Sequence, residues 1–181
     1  AHGGGLRIWG VTHSVIIKSK FIQNSAIENG GALNIYKTNV CKIYALYISG
    51  NKAKLGGAGA YISMAEDVVL FKCSIIANIA KRKGAGLHII DSYASHIINT
   101  TFQNNSAESG AALASWKCNK IKIHRNIMLK NRANLLGGAI YNDINDYLII
   151  SESDVQGNNA AKGGGPVGRA VRQESHRFHL R

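Results

Sequence analysis

The chain has 181 residues, of which 45% are hydrophobic and 18% are charged. This length fits one domain, and the high share of apolar residues excludes an intrinsically disordered chain. Lys and Arg outnumber Asp and Glu by 22 to 10, which gives a formal net charge of +12. The sequence contains no apolar run long enough for a membrane-spanning helix.

An Asn-x-Ala pattern recurs at intervals of 26 or 27 residues and is the strongest signal in the sequence. A fixed period in this range indicates a stack of repeats, which is a solenoid. Runs of small residues, such as Gly30-Gly31-Ala32, follow the asparagines. The asparagines are Asn24, Asn51, Asn78, Asn105, Asn131 and Asn158.

Each repeat contains short segments typical of β-strands. Eight residues before each asparagine stands an aliphatic side chain that we expect to face the core: Ile16, Ile43, Leu70, Ile97, Ile123 and Ile150. After the small-residue run, apolar residues such as Leu33 and Ile35 recur with the period of a strand that buries one face. Segments rich in Ile, Val and Tyr and broken by Gly, Asn and Ser do not fit a helical repeat.

These segments predict an all-β fold, a single-stranded parallel β-helix of about six coils of about 27 residues each. We expect equivalent positions of neighbouring coils to stack about 4.8 Å apart. Each repeated asparagine is predicted to take a left-handed backbone conformation at a corner. The stacked amides are predicted to form a hydrogen-bonded ladder.

Two short motifs lie within these repeats: Phe-x-x-Asn at residues 21–24 and 102–105, and Gly-Gly-Ala-(Ile/Leu) at residues 30–33 and 137–140. In them the sequence resembles the repeats of the chlamydial polymorphic membrane proteins, over roughly residues 3 to 165. The resemblance implies a right-handed, pectate-lyase-like helix that forms an autotransporter passenger domain. It also implies an adhesive role at the cell surface, at the outer membrane or after secretion, with a host-surface protein or glycan as partner.

The repeat defines a predicted domain of residues 1–165. Residues 166–181 lack the repeat, are rich in Arg and begin at Pro166, the only proline. We expect this tail to be extended or disordered. Because the sequence starts within a coil, we expect it to be a fragment of a longer protein.

The sequence contains no pattern that indicates catalysis or a cofactor. Glycoside hydrolysis needs two carboxylates held within about 5–10 Å, whereas the ten acidic residues are scattered through turns. We therefore predict no catalytic residues. The three cysteines, Cys41, Cys73 and Cys118, occupy different positions of the repeat and are predicted to be partly buried free thiols. No Cys or His spacing indicates a metal site.

Two sets of residues are candidates for binding. A predicted basic ridge in neighbouring coils would bind a polyanion weakly through charge or only keep the surface soluble; it comprises Lys52, Lys54, Lys81, Arg82 and Lys83. An outward aromatic set would stack on sugar rings or on a partner protein, or pack over neighbouring turns; it comprises Trp9, Tyr36, Tyr61, His88, Trp116 and Tyr141.

Three functions remain open from the sequence. The leading interpretation is a surface-exposed or secreted domain with an adhesive or structural binding role and no catalysis. The second is a fragment of a carbohydrate-active β-helix enzyme whose catalytic loops lie elsewhere. The third is a module that binds an acidic glycan or nucleic acid through charge.

Overall fold

The computed structural model describes residues 2–162 and 167–168. The chain winds into a parallel β-helix of about six coils, as the repeat predicts. Paired residues lie 26 or 27 positions apart, as in Ile97 with Leu70 and with Ile123. Each coil therefore lies on the previous one in the register that the sequence period defines.

The strands form three sheets along the rod. The first contains β1 (Leu6–Trp9), β2 (His13–Ile17), β5 (Leu33–Tyr44), β8 (Ala60–Phe71), β11 (Leu87–Ile90), β12 (Ala94–Ile98), β15 (Leu113–Trp116), β16 (Lys120–His124), β19 (Ile140–Asp143), β20 (Tyr147–Ser151) and β23 (Val167–Gly168). The second contains β3 (Lys20–Ile22), β6 (Tyr47–Ser49), β9 (Ser74–Ile76), β13 (Thr101–Gln103), β17 (Ile127–Leu129) and β21 (Asp154–Gln156). The third contains β4 (Ser25–Ala26), β7 (Lys52–Ala53), β10 (Ile79–Ala80), β14 (Ser106–Ser109), β18 (Arg132–Leu136) and β22 (Asn159–Ala160).

Each coil contributes two legs to the first sheet. The first leg comprises β1 and the segments stacked on it, and the second leg comprises β2 and the segments stacked on it. At the far end β23 pairs with β19 at the usual spacing, so the ladder continues just past the predicted boundary at residue 165. The rest of the predicted tail lies outside the described residues.

The interior of the rod is an aliphatic core. The predicted column faces inward, because Ile43, Leu70, Ile97 and Ile123 have no exposed surface. Ile150, in the last coil, is partly buried and packs against the same cluster. Full burial of one such side chain stabilises the fold by about 1.5–3 kcal/mol.

The corners use left-handed residues, but these are not the repeated asparagines. Before the third sheet, the positive φ falls on the preceding residue, with φ of 54° at Ala77 and 53° at Asn104. The prediction that the asparagine itself is left-handed is therefore wrong. Asn78 and Asn105 instead direct their amides into the rod, where hydrogen bonds between coils hold them.

The amides form one continuous ladder from Asn24 to Asn158. The backbone N–H and the Nδ2 of Asn78 both donate to Oδ1 of Asn105, at 3.0 and 3.1 Å. The Nδ2 of Asn78 also donates to the carbonyl of Ile48 at 3.2 Å. These bonds satisfy amides that have no contact with solvent in the central coils, as buried polar groups require.

A shorter polar ladder stands at the corner before the second sheet. The N–H of Thr100 donates to Oδ1 of Asn126 at 2.8 Å, and the N–H of Asn126 donates to Oγ of Ser153 at 3.1 Å. Cys73 occupies the same position one coil earlier, and its N–H donates to Oγ1 of Thr100 at 3.3 Å. A small polar side chain at this corner therefore joins consecutive coils.

The three cysteines are free and buried, somewhat more completely than predicted. Burial raises the pKa of the Cys41 thiol and of the Cys118 thiol to about 11. Both thiols are therefore protonated at neutral pH, a form that is a poor nucleophile and metal ligand.

The small-residue runs mark the corner where the third sheet returns to the first. Gly84 has a φ of 57°, and a Cβ there would lie 2.4 Å from the carbonyl oxygen of Leu87. A Cβ on Gly86 would lie 2.4 Å from the carbonyl oxygen of Ala112. Glycine is therefore required at position 84 by the left-handed turn and at position 86 by the close approach of the next coil.

Candidate binding surfaces

The predicted aromatic set lies on the outward face of the first leg, but in two columns rather than one. Trp9 is the in-register neighbour of Tyr36 in the next coil. Tyr61 is the in-register neighbour of His88, at a position two residues nearer the start of the strand. Trp116 pairs with Ile90 and not with His88. The aromatic residues therefore do not form a continuous stripe along the rod.

The middle of this set is buried. His88 is only 7% exposed, and its ring lies against Tyr61 at a centroid distance of 5.5 Å. Gly56, in the neighbouring turn, leaves space for the imidazole: a Cβ there would meet Nδ1 of His88 at 2.4 Å. His88 therefore packs against a turn, one of the two roles considered for this set. Tyr141, in the last coil, is also buried, at 9% exposure.

Burial also determines the charge state of His88. Neither ring nitrogen has a hydrogen-bond partner among the described residues. Desolvation, with a smaller contribution from Lys83, lowers the pKa of His88 to about 3. The imidazole is therefore neutral at physiological pH, because no acceptor compensates a buried charge.

The first coils, in contrast, expose an aromatic groove of about 310 Å³. Trp9 is 62% exposed and meets Tyr36 edge to face at a centroid distance of 6.0 Å. The guanidinium of Arg7 lies 4.8 Å from the centre of the Trp9 ring. The groove is lined by His2, Arg7, Trp9, Asn29, Asn34, Tyr36 and Tyr61.

The polar groups around the groove are partly fixed by one another. Nε2 of His2 contacts Oε2 of Glu28 at 2.6 Å. Oδ1 of Asn29 accepts a hydrogen bond from the N–H of Gly56 at 3.0 Å. Burial raises the pKa of the Tyr61 hydroxyl, which therefore remains a hydrogen-bond donor at neutral pH.

Sequence reasoning missed Arg7 and Asn34, which carry the cation and an amide of the groove. The signal was present, because both alternate with the inward residues Leu6, Leu33 and Ile35 on their strands. Strand alternation alone places them outward beside Trp9 and Tyr36. The candidate set was chosen for its aromatic rings and therefore left out these polar neighbours.

The predicted basic ridge is only partly assembled. The backbone N–H of Lys54 donates to Ala26 and that of Lys81 donates to Ala53, so these two lysines occupy equivalent positions in adjacent coils. Lys52, however, pairs with Ile79. Nζ of Lys83 turns towards the ring of Tyr141, 4.7 Å from its centroid. Stacked like charges are therefore limited to Lys54 and Lys81, with Arg82 next to them.

The third sheet adds residues that the ridge prediction did not include. Arg132 stands outward in register with Ser106, and aliphatic side chains are exposed among the cations. Ile27 is 62% exposed, Ile79 is 49% exposed and Leu136 is 37% exposed. We call this surface the basic–aliphatic face; it comprises Lys52, Lys54, Lys81, Arg82, Arg132, Ile27, Ile79 and Leu136.

The part of the chain that the structure describes contains no group of three His, Cys, Asp or Glu side chains that could hold a metal ion. The lining of the aromatic groove contains no carboxylate. The groove offers ring faces, two tyrosine hydroxyls, amides, an imidazole and one guanidinium.

No helix within the described ranges is long and apolar enough to cross a bilayer. Comparison with curated proteins gave no significant match, and comparison with solved structures gave none either. The family described as "Right handed beta helix region" matches residues 2–160. Since this match spans most of a chain whose strands stack as parallel coils, the protein belongs to the right-handed beta helix family.

Proposed function

We propose that this β-helix is a surface-exposed or secreted binding domain with an adhesive role, and that its aromatic groove holds a carbohydrate. The observation that carries the proposal is the exposed pair Trp9 and Tyr36 beside the Arg7 guanidinium. The resemblance to the chlamydial polymorphic membrane protein repeats supports the surface location.

The groove fits a sugar ring better than a flat apolar ligand. Trp9 offers a large rigid surface whose ring can pack against the C–H face of a sugar. Asn29 and the His2 ring stand at the edge, where hydroxyl groups would need donors and acceptors. A few placed polar groups around aromatic walls are typical of sites for small ligands.

Arg7 indicates an acidic sugar. A guanidinium binds carboxylate and sulfate groups through paired hydrogen bonds, and here it lies next to the exposed tryptophan. The chain as a whole has a formal net charge of +12, which favours the approach of an anionic glycan.

Binding without turnover is part of the proposal. Hydrolysis needs an acid and a second carboxylate across the scissile bond. Glu28, which contacts His2, and Asp91, which contributes to the raised pKa of Tyr61, lie near the groove, but neither of them lines it. We therefore expect the oligosaccharide to be held and released unchanged.

Calorimetric titration with a uronic-acid oligosaccharide and a neutral one of equal length tests the proposal. Trp9→Ala should weaken binding of the acidic ligand at least about tenfold, a loss of about 1.4 kcal/mol. Arg7→Gln should remove the preference for the acidic ligand and leave most of the stacking energy.

Trp116→Ala provides a matched control, because Trp116 has the same position on the first leg but lies outside the groove. This variant should bind as the wild type does. Equal losses for Trp9→Ala and Trp116→Ala would reject the groove as the site. Shortened products after incubation with the acidic glycan would instead support the enzyme alternative.

A further inference from the structure

The basic–aliphatic face combines two properties that the aromatic groove lacks: a group of exposed cations, and exposed aliphatic side chains among them. Its five cations are exposed, and none of them forms an ion pair with another described residue. Among the described residues, Glu28 lies beside Ile27 and contacts His2, and Glu108 has the position of Lys81 in the next coil. Five cations against these two carboxylates leave the face with a net positive charge.

Aliphatic side chains stand among these cations rather than apart from them. Ile79 is the in-register neighbour of Lys52. Ile27 directly follows Ala26, which pairs with Ala53, so it occupies the position that Lys54 has in the next coil. Leu136 lies two strands beyond Ile79 in the same sheet, in register with Ser109. The charges and the exposed apolar groups thus form one surface.

From this arrangement we propose that the basic–aliphatic face binds the surface of an anionic lipid membrane. Basic side chains are attracted to anionic headgroups, each by an electrostatic contribution that falls off within a Debye length. Aliphatic side chains between them can enter the boundary between headgroups and acyl chains. Lysine is suited to this position, because its stem packs on apolar groups while its ammonium stays in water.

Two other occupants fit less well. A soluble polyanion would neutralise Lys54, Lys81 and Arg82 but would leave Ile27 and Ile79 exposed. A protein interface favours arginine and aromatic residues and is depleted in lysine, whereas three of the five cations here are lysines. The rod would lie lengthwise on the bilayer, because the strands of the third sheet stack on one another along its axis.

Flotation with vesicles tests the charge contribution. The wild type should float with phosphatidylcholine vesicles that contain phosphatidylserine and not with phosphatidylcholine alone. The triple variant Lys54→Gln, Lys81→Gln, Arg82→Gln should lose at least about tenfold in vesicle affinity at low salt. Absence of wild-type binding to the anionic vesicles overturns the proposal.

A second triple variant removes the same charge from another face. Lys42, Lys120 and Lys122 point outward from the second leg, and replacing all three with Gln should leave most of the vesicle affinity intact. An equal loss in both triple variants would mean that only net charge matters, and would overturn the assignment to this face. Circular dichroism confirms that both variants are folded.

The aliphatic contribution separates a membrane from a soluble polyanion. Ile27→Thr with Ile79→Thr should lower vesicle affinity several-fold and leave retention on a heparin column unchanged. Val15→Thr with Ile17→Thr alters similarly exposed residues of the second leg and should change neither. If the Ile27 and Ile79 pair has no effect on vesicles, the face binds polyanions through charge alone and the lipid proposal is wrong.

Discussion

The central coils and the end coils of this rod contain the same repeat but bury it to different extents. Ile97 has no exposed surface, whereas Ile150, at the same position of the last coil, is only partly buried. His88 is enclosed, whereas Arg7, at the same outward position of the first coil, is exposed. A repeat position therefore defines where a side chain points, and the neighbouring coils decide how much energy it contributes.

The largest effect should come from the central core. Ile97→Ala removes a fully buried side chain in a region with coils on both sides, and should cost about 2–5 kcal/mol of unfolding free energy. Ile150→Ala should cost clearly less, because part of that side chain already contacts solvent. Urea denaturation of both variants measures the difference, and equal losses would contradict the contrast between central and end coils.

The amide ladder should show the same contrast at a smaller scale. Asn78→Ala leaves the backbone N–H of Asn51 without its acceptor and removes one of the three acceptors of the Asn51 Nδ2, and we expect a cost of about 2–4 kcal/mol from the lost buried hydrogen bonds. Asn158→Ala should cost less, since Asn158 is only partly buried. Denaturant melts of the two variants measure this, and a negligible cost at Asn78 would show that the ladder does not stabilise the rod.

Acid should destabilise the protein through its buried histidine. The pKa of His88 is about 3 in the folded state against 6.5 in the reference state, so the unfolded chain binds more protons below about pH 6.5. Stability should therefore fall by about 1.4 kcal/mol per pH unit from about pH 6.5 towards pH 3. Lowering the pH from 7 to 5 then costs about 2 kcal/mol from this group.

Replacing His88 with Leu isolates this contribution. The variant should lose less stability between pH 7 and pH 5 than the wild type does, by about 2 kcal/mol. Urea denaturation at the two pH values gives both numbers. The same loss in wild type and variant would mean that His88 does not remain neutral in the folded rod.

The smallest expected effect is the difference in stability loss between substitutions of two lysines of the predicted ridge. Lys83→Ala removes a cation that lies 4.7 Å from the centre of the Tyr141 ring and should cost about 0.5–1 kcal/mol. Lys54→Ala, on the exposed side of the third sheet, should change stability by less than about 0.5 kcal/mol. Thermal melts distinguish the two, and a larger loss at Lys54 would contradict the geometry.

Several features of the fold followed from the spacing of residues alone. The asparagine period defined the coil length, and the column from Ile16 to Ile150 defined the core face. These predictions succeed because parallel stacking places equivalent residues above one another and strand alternation fixes their side. The left-handed corner was misassigned by one residue, because asparagine is common both at such corners and in amide ladders.

The candidate sites were harder to predict. Trp9 and Tyr61 are both outward residues of the first leg, and period-2 alternation cannot tell which of the two outward positions each coil fills with an aromatic residue. Trp116 occupies the outward position that Trp9 has, whereas His88 occupies the other outward position two residues earlier, which Ala114 fills in the coil of Trp116. Lys83 reaches Tyr141, a contact that adjacent-coil stacking does not anticipate.

The sequence by itself determined the parallel β-helix, its period and the side of each strand that faces the core, because these depend on local periodicity. Only the tertiary structure decided which outward residues are accessible. Turns of neighbouring coils cover some outward positions and leave others exposed. This decides the burial of His88 beneath the turn at Gly56, the open groove at Trp9 and the exposure of the aliphatic side chains between the lysines. Exposure is set by those neighbours, and binding surfaces depend on exposure.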